Sequence, residues 1–206
     1  MESWMTWIII VLVIIVFMTA AVRNERERST LMGKWAADHG FSYFPFSDES
    51  AELAIMLRND SYELLNESPD KVFNILMRQW DGVSARICEY DIEDDGSRKR
   101  FSVVVIESQT PITWTAIRSV LPNLPLRTEI ALDKRRSLCP RCVQLDESEV
   151  RAVFPLLPPK TLVALDSRRI AYRYKYVLLS SDRLNSMLAE LEYLREVLLK
   201  AASYPA

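Results

Sequence analysis

From Trp4 to Val22 the chain carries no charge, and only Thr6 and Thr19 interrupt its apolar character. Nineteen helical residues at 1.5 Å each reach about 28 Å, close to the roughly 30 Å hydrocarbon core of a bilayer. The segment Ile8 to Val16 is dominated by β-branched residues, which favour strands in water. In lipid the backbone must satisfy itself internally, so the pattern predicts a helix. Beyond it, Leu31, Met32, Trp35 and Ala36 form an apolar stripe at helical spacing, and Gly40 ends the element in a residue suited to the left-handed conformation.

The pattern then changes to period two. Phe41, Tyr43 and Phe46 mark a short strand interrupted by Pro45, and "SDESAELAIMLRN" reads as a short helix capped by Ser47 or Asp48. A β-meander follows: Lys71 to Trp80, a turn at Asp81-Gly82, Val83 to Asp91, a polar loop "EDDGSRKR", and Arg100 to Ser108. That last strand is almost continuously apolar and is predicted to be central. Residues 111–125 read as irregular and proline-bounded with room for one helical turn, and Leu126 to Leu132 as a further strand. The last third predicts a short helix in "DESEVRAVFPLL", two antiparallel strands in "TLVALD" and "RIAYRYKYVLL", and a long helix to about Lys200 capped by Ser181 or Asp182. Its stripe, Leu184, Met187, Leu191, Leu194 and Leu198, spans barely two heptads, so packing on its own sheet is favoured over a coiled-coil homodimer.

These elements predict an α+β chain: a short extracytoplasmic N-terminus (1–3), a transmembrane helix (4–22), a juxtamembrane helix (23–40), one antiparallel α+β domain (41–200) and a short tail (201–206). The residues ahead of the span, Met1, Glu2 and Ser3, lack the basic n-region of a secretory signal, although Thr19-Ala20-Ala21 resembles a cleavage site. A retained signal-anchor is therefore expected. Arg23, Arg26, Arg28 and Lys34 follow the span, which by the positive-inside rule leaves the domain in the cytoplasm of an inner-membrane, single-pass protein. Trp4 and Trp7 fall where interfacial aromatics belong, so Trp4, Trp7 and Arg23 are the expected anchor residues.

Composition narrows the function. With 26 basic and 28 acidic residues, no global field points to nucleic acid. Four glycines in 206 residues leave no GxGxxG or GxxxxGK[ST] loop, and a single histidine removes multi-histidine metal sites. Three cysteines do not resemble a secreted disulfide framework.

"LMGKWAADHGFSYFP" after an anchor, "FNILMRQWDGVSARICEYDI" with "KRFSVVVIES", and "LDESEVRAVFPLL" together resemble an uncharacterised class of bacterial membrane-anchored proteins. The resemblance covers residues 31 to about 200. It implies a juxtamembrane helix, a β-meander and a membrane location, and it brings no activity.

The sharpest chemical motif is "CPRC", Cys139 and Cys142. Such a pair is a redox dithiol, half of a zinc site completed in a dimer, or two ordinary cytosolic thiols. His39 beside Asp38 reads as a helix-terminal residue interacting with the dipole, and Asp94-Asp95 as solvated. In "RIAYRYKY" Arg169, Arg173 and Lys175 share one face with Ala171, opposite Ile170, Tyr172 and Tyr174. The plain reading is a basic solvent face. The functional one is a surface for anionic lipid, since a tethered domain feels the inner leaflet. The leading expectation is a non-enzymatic, membrane-tethered interaction or scaffold module with an unknown protein partner. A thiol-redox or zinc protein and a lipid-surface binder are its alternatives.

Overall fold

The computed structural model describes residues 2–46, 71–94, 96–124, 143–158, 161–166, 168–175 and 180–203. The first element is one uninterrupted helix, α1 (Glu2–Asp38). Its described side chains from Trp4 to Glu27 are exposed, and among the described residues it is the one helix long and apolar enough to cross a membrane. It stops where the sequence predicts. Gly40 takes φ +70, the Phe41 N–H donates to the Ala36 carbonyl at 2.8 Å, and the Gly40 N–H donates to the Ala37 carbonyl at 3.3 Å. This paired closure satisfies carbonyls that the helix end would otherwise leave open, and a side chain at Gly40 would strain it.

Among the described residues seven strands follow: β1 (Ser42–Phe46), β2 (Lys71–Trp80), β3 (Val83–Asp94), β4 (Ser97–Ser108), β5 (Val143–Leu145), β6 (Leu162–Leu165) and β7 (Arg169–Lys175). They form one antiparallel sheet in the order β1-β2-β3-β4-β7-β6-β5. β1 lies at an edge, where Pro45 is tolerated because no neighbour needs its missing N–H. β4 is the central strand, as its apolar run predicts. Gly82, at φ +78, turns β2 into β3.

Among the described residues three further helices are α2 (Trp114–Val120), α3 (Glu147–Val153) and α4 (Ser181–Ala202). Each begins at a side-chain cap. Thr113 accepts from Ala116 N–H, Asp146 and Glu149 form a reciprocal capping box, and Ser180 accepts from Arg183 N–H. All four helices bury their apolar faces on one side of the sheet. Met32, Trp35 and Ala36 of α1 join Leu76, Ile87, Val104, Ile106 and Tyr172 in the same core as Leu184, Met187, Leu191, Leu194 and Leu198 of α4. The α4 stripe is therefore occupied within its own domain.

Several details differ from the sequence reading. "EDDGSRKR" is not a loop. β3 runs to Asp94 and β4 starts at Ser97, because the facing pairs Asp91↔Arg100 and Glu93↔Arg98 set opposite charges across the ladder. Residues 114–120 form a two-turn helix, and Ser180 takes the cap expected at Ser181 or Asp182. The second sheet face is not a solvent face either. Ile75, Cys88, Tyr90, Val103, Val105, Ala164 and Ala171 are buried there, so Ala171 points into a second apolar cluster. The helix expected at "SDESAELAIMLRN" and the strand at Leu126 to Leu132 lie outside the described residues.

Candidate functional site at the anchor junction

The most concentrated chemistry lies where α1 meets the sheet. Ile87 faces the core, and two residues on along the same face Glu89 is fully buried. Arg28 donates to Glu89 Oε1 at 2.6 Å, and Asn74 Nδ2 donates to Oε2 at 2.8 Å. Tyr43 Oη donates to Asn74 Oδ1 at 2.7 Å and sits 3.0 Å from Ser29 Oγ, whose hydroxyl supplies the other proton. Asn74 holds φ +52 at a register shift between Phe73 and Leu76. Asparagine tolerates that conformation, and its amide is both donor and acceptor, so one side chain bridges a phenol and a carboxylate.

Farther along the same face Asp91, 1% exposed, takes Arg98 at 2.6 Å and Arg100 at 2.9 Å. Arg100 also lies over the Phe73 ring, 4.4 Å from its centroid. Glu89 is thus met by a guanidinium and a neutral amide, and Asp91 by two guanidinium groups, which is what a buried charge requires. The arrangement is a latch fastening helix to sheet.

A third buried carboxylate, Glu190 of α4, accepts from Tyr172 at 3.0 Å and from Tyr174, and pairs with Arg183 at 3.2 Å. Burial pushes the Tyr172 and Tyr174 hydroxyls well up, and Glu190 pushes them the same way. Burial also raises Tyr43, Tyr90 and Tyr193. Folded values above the ordinary 10 mean that these phenols contribute stability fully present below about pH 10 and lost as pH rises through the folded values. Alkaline titration followed at 295 nm is expected to show Tyr90, Tyr172 and Tyr174 ionising only in the step that abolishes the near-UV circular dichroism. Reversible ionisation of all eight tyrosines near pH 10 with the signal intact would contradict it.

The sequence-predicted residues are spread widely. Trp4, Trp7 and Arg23 lie on the exposed part of α1, Arg23 paired with Glu27 at 2.8 Å. Arg169 is held by Asp166 at 2.8 Å at the end of the sheet away from the span, opposite Glu107. Arg173 is half-buried over Phe101, and burial lowers its guanidinium pKa. Lys175 lies in β7 opposite Phe101 in register. Cys139 and Cys142 lie outside the described residues, and Cys88 is buried. His39 stacks on Trp35 at 4.4 Å with Nδ1 2.8 Å from the Trp35 carbonyl, as suits a helix terminus. On the second face a groove of about 450 Å³ is lined by Phe44, Met77, Ser84 and the Arg86–Glu107 pair. Sequence reasoning missed Glu89, Asn74 and Glu190. Only Glu190 left a signal, an acid beside the apolar stripe of α4 between Met187 and Leu191.

No protein-family model matches the chain, and no curated protein matches it in sequence. Among solved structures, the crystal structure of the mycobacterial trehalose monomycolate transport factor A is similar over 88% of this chain and 99% of that one, at 12% identity and a TM-score of 0.48. A likeness of that size carries no function across, so the physical reading of the junction stands on its own.

Proposed function

We propose that the chain is a membrane-tethered, non-enzymatic interaction module whose domain faces the cytoplasm at the inner membrane. The observation that carries this reading is the continuity of α1. The helix exposes an apolar stretch able to cross a bilayer, and a few turns later it is part of the domain core through Met32, Trp35 and Ala36. No linker separates the two, so a partner docking on the domain is presented at a fixed height and orientation. Arg23, Arg26, Arg28 and Lys34 directly after the apolar run support the cytoplasmic side. The buried carboxylates Glu89, Asp91 and Glu190 support a structural role, each being taken up by arginine and hydrogen-bond donors.

Crosslinking in the native membrane tests this. Replacing residues 4–22 by an unrelated apolar helix is expected to preserve the crosslinked species, and a released domain starting at Arg23 to lose them. Equal yields from the released domain would overturn the tethered reading. Cleavage of a C-terminal tag by protease outside unbroken cells would overturn the cytoplasmic placement.

A further inference from the structure

The β3–β4 hairpin lies at the end of the sheet from which the apolar part of α1 extends. Gly40 lies beside Arg78 near the end of β2, whereas Ser29 is tied through Tyr43 to Asn74 near its start. Helix α1 therefore runs parallel to β2, and its span lies beyond the end of the sheet where β3 finishes. Among the described residues β2 pairs as far as Lys71 with Asp91, and β7 as far as Lys175 with Phe101, while β3 and β4 stay paired with each other from there out to Asp94 and Ser97.

The reach follows from strand and helix geometry. Arg28 and Glu89 share a level because they touch. From Glu89 to Asp94 a strand covers about 16 Å at roughly 3.3 Å per residue. From Arg28 back to Arg23 a helix covers only about 7.5 Å. The tip thus reaches the height of Arg23 for any crossing angle between strand and helix up to about 60°. It does not lie along the helix, since the α1 side chains from Phe17 to Glu27 are exposed. It descends beside it.

The hairpin end is charged in both signs, with Glu93 and Asp94 in β3 and Arg98, Lys99 and Arg100 in β4. Gly96, Ser97 and Arg98 are exposed. Such a tip cannot enter hydrocarbon without stripping water from its charges. A zwitterionic headgroup layer, presenting phosphate and ammonium at one depth, matches its balanced charge.

The geometry points to the β3–β4 hairpin as a second membrane contact, resting on zwitterionic phospholipid headgroups and setting the depth and tilt at which α1 is seated. This rests on the reading of α1 as a membrane span. The contact differs from the basic strand considered from sequence in the residues it uses: Arg169 lies at the opposite end of the sheet, and Lys175 pairs only at the base of the hairpin, opposite Phe101.

The test uses the full chain reconstituted in a zwitterionic phospholipid bilayer, with Cys139→Ser and Cys142→Ser removing competing thiols. Single fluorophores are placed through Ser97→Cys, Asp81→Cys or Phe17→Cys. Asp81 lies at the opposite turn of β3, about 36 Å from the tip along the strand. A headgroup-attached quencher is expected to quench the label at 97 several-fold more than the label at 81, while an acyl-chain quencher acts on the label at 17. Equal headgroup quenching at 97 and 81, with 17 still quenched by the acyl-chain probe, would overturn the hairpin contact alone. A label at 17 untouched by the acyl-chain probe would overturn the span itself and the contact with it. A photocrosslinking residue at 97 in the otherwise unaltered chain gives an independent readout. Phospholipid adducts support the contact, and their absence where position 17 yields them counts against it.

Discussion

A chain beginning at Phe41 should fail to fold, and one beginning at Arg23 should fold cooperatively and remain soluble. The apolar stretch before Arg23 is exposed and contributes nothing to the domain core. The turns after it contribute a great deal. Met32 is 2%, Trp35 7% and Ala36 1% exposed, and the Trp35 indole N–H donates to Asn185 Oδ1 of α4 at 2.6 Å. Truncating a buried Trp costs about 3–5 kcal/mol and a buried Met about 2–5, while stranding a buried carboxylate costs about 3–5 more. Even allowing for non-additivity, the total approaches the whole 5–15 kcal/mol stability of an ordinary domain. Urea unfolding monitored by far-UV circular dichroism, with gel filtration, decides it. A cooperative transition of equal midpoint in both chains would show α1 to be dispensable. Within the longer chain, Trp35→Ala alone should lower stability by about 3–5 kcal/mol.

That dependence explains which parts of the fold were legible in the sequence. The span, the helix end at Gly40, the Asp81-Gly82 turn and the α4 stripe were readable because each is a local pattern with a local cause. The long β3–β4 hairpin was not. Its outer rungs look like a loop in composition, and only the cross-strand matching of Asp91 with Arg100 and Glu93 with Arg98 keeps them paired. The second buried face was hidden in β7, where Ala171 between two arginines suggests solvent, although the unbroken apolar run of β4 was already a sign that both faces are covered. The junction was the least legible. Glu89 in "RICEYDI" looks like an outward acid in an alternating strand. Its meaning depends on Arg28, sixty-one positions earlier and on a different element. Period and composition carry no information about such a pairing, and the φ +52 at Asn74 that completes it has no sequence mark beyond asparagine's tolerance for it.

The second large effect is at that pair. Arg28→Ala should destabilise the domain by about 3–5 kcal/mol, because Glu89 has no exposed surface and would lose the guanidinium that meets its charge. Removing both members should cost less than removing Arg28 alone, but the replacement at Glu89 matters. Glu89→Leu strands Asn74 Nδ2, an orphan worth about 1–3 kcal/mol. Glu89→Gln retains an acceptor for it, so Arg28→Met with Glu89→Gln should recover most of the loss. Urea midpoints of the single and double variants, taken in a chain starting at Arg23, give the coupling directly. The penalty should persist at high salt, since a buried pair is little screened, whereas Arg23→Ala, which breaks the exposed Arg23–Glu27 pair, should have little effect at any salt. An Arg28→Ala variant as stable as its parent would mean that α1 is held by Trp35 and Met32 alone. The domain could then swivel about its anchor, and the fixed presentation of its surfaces to the membrane would lose its physical basis.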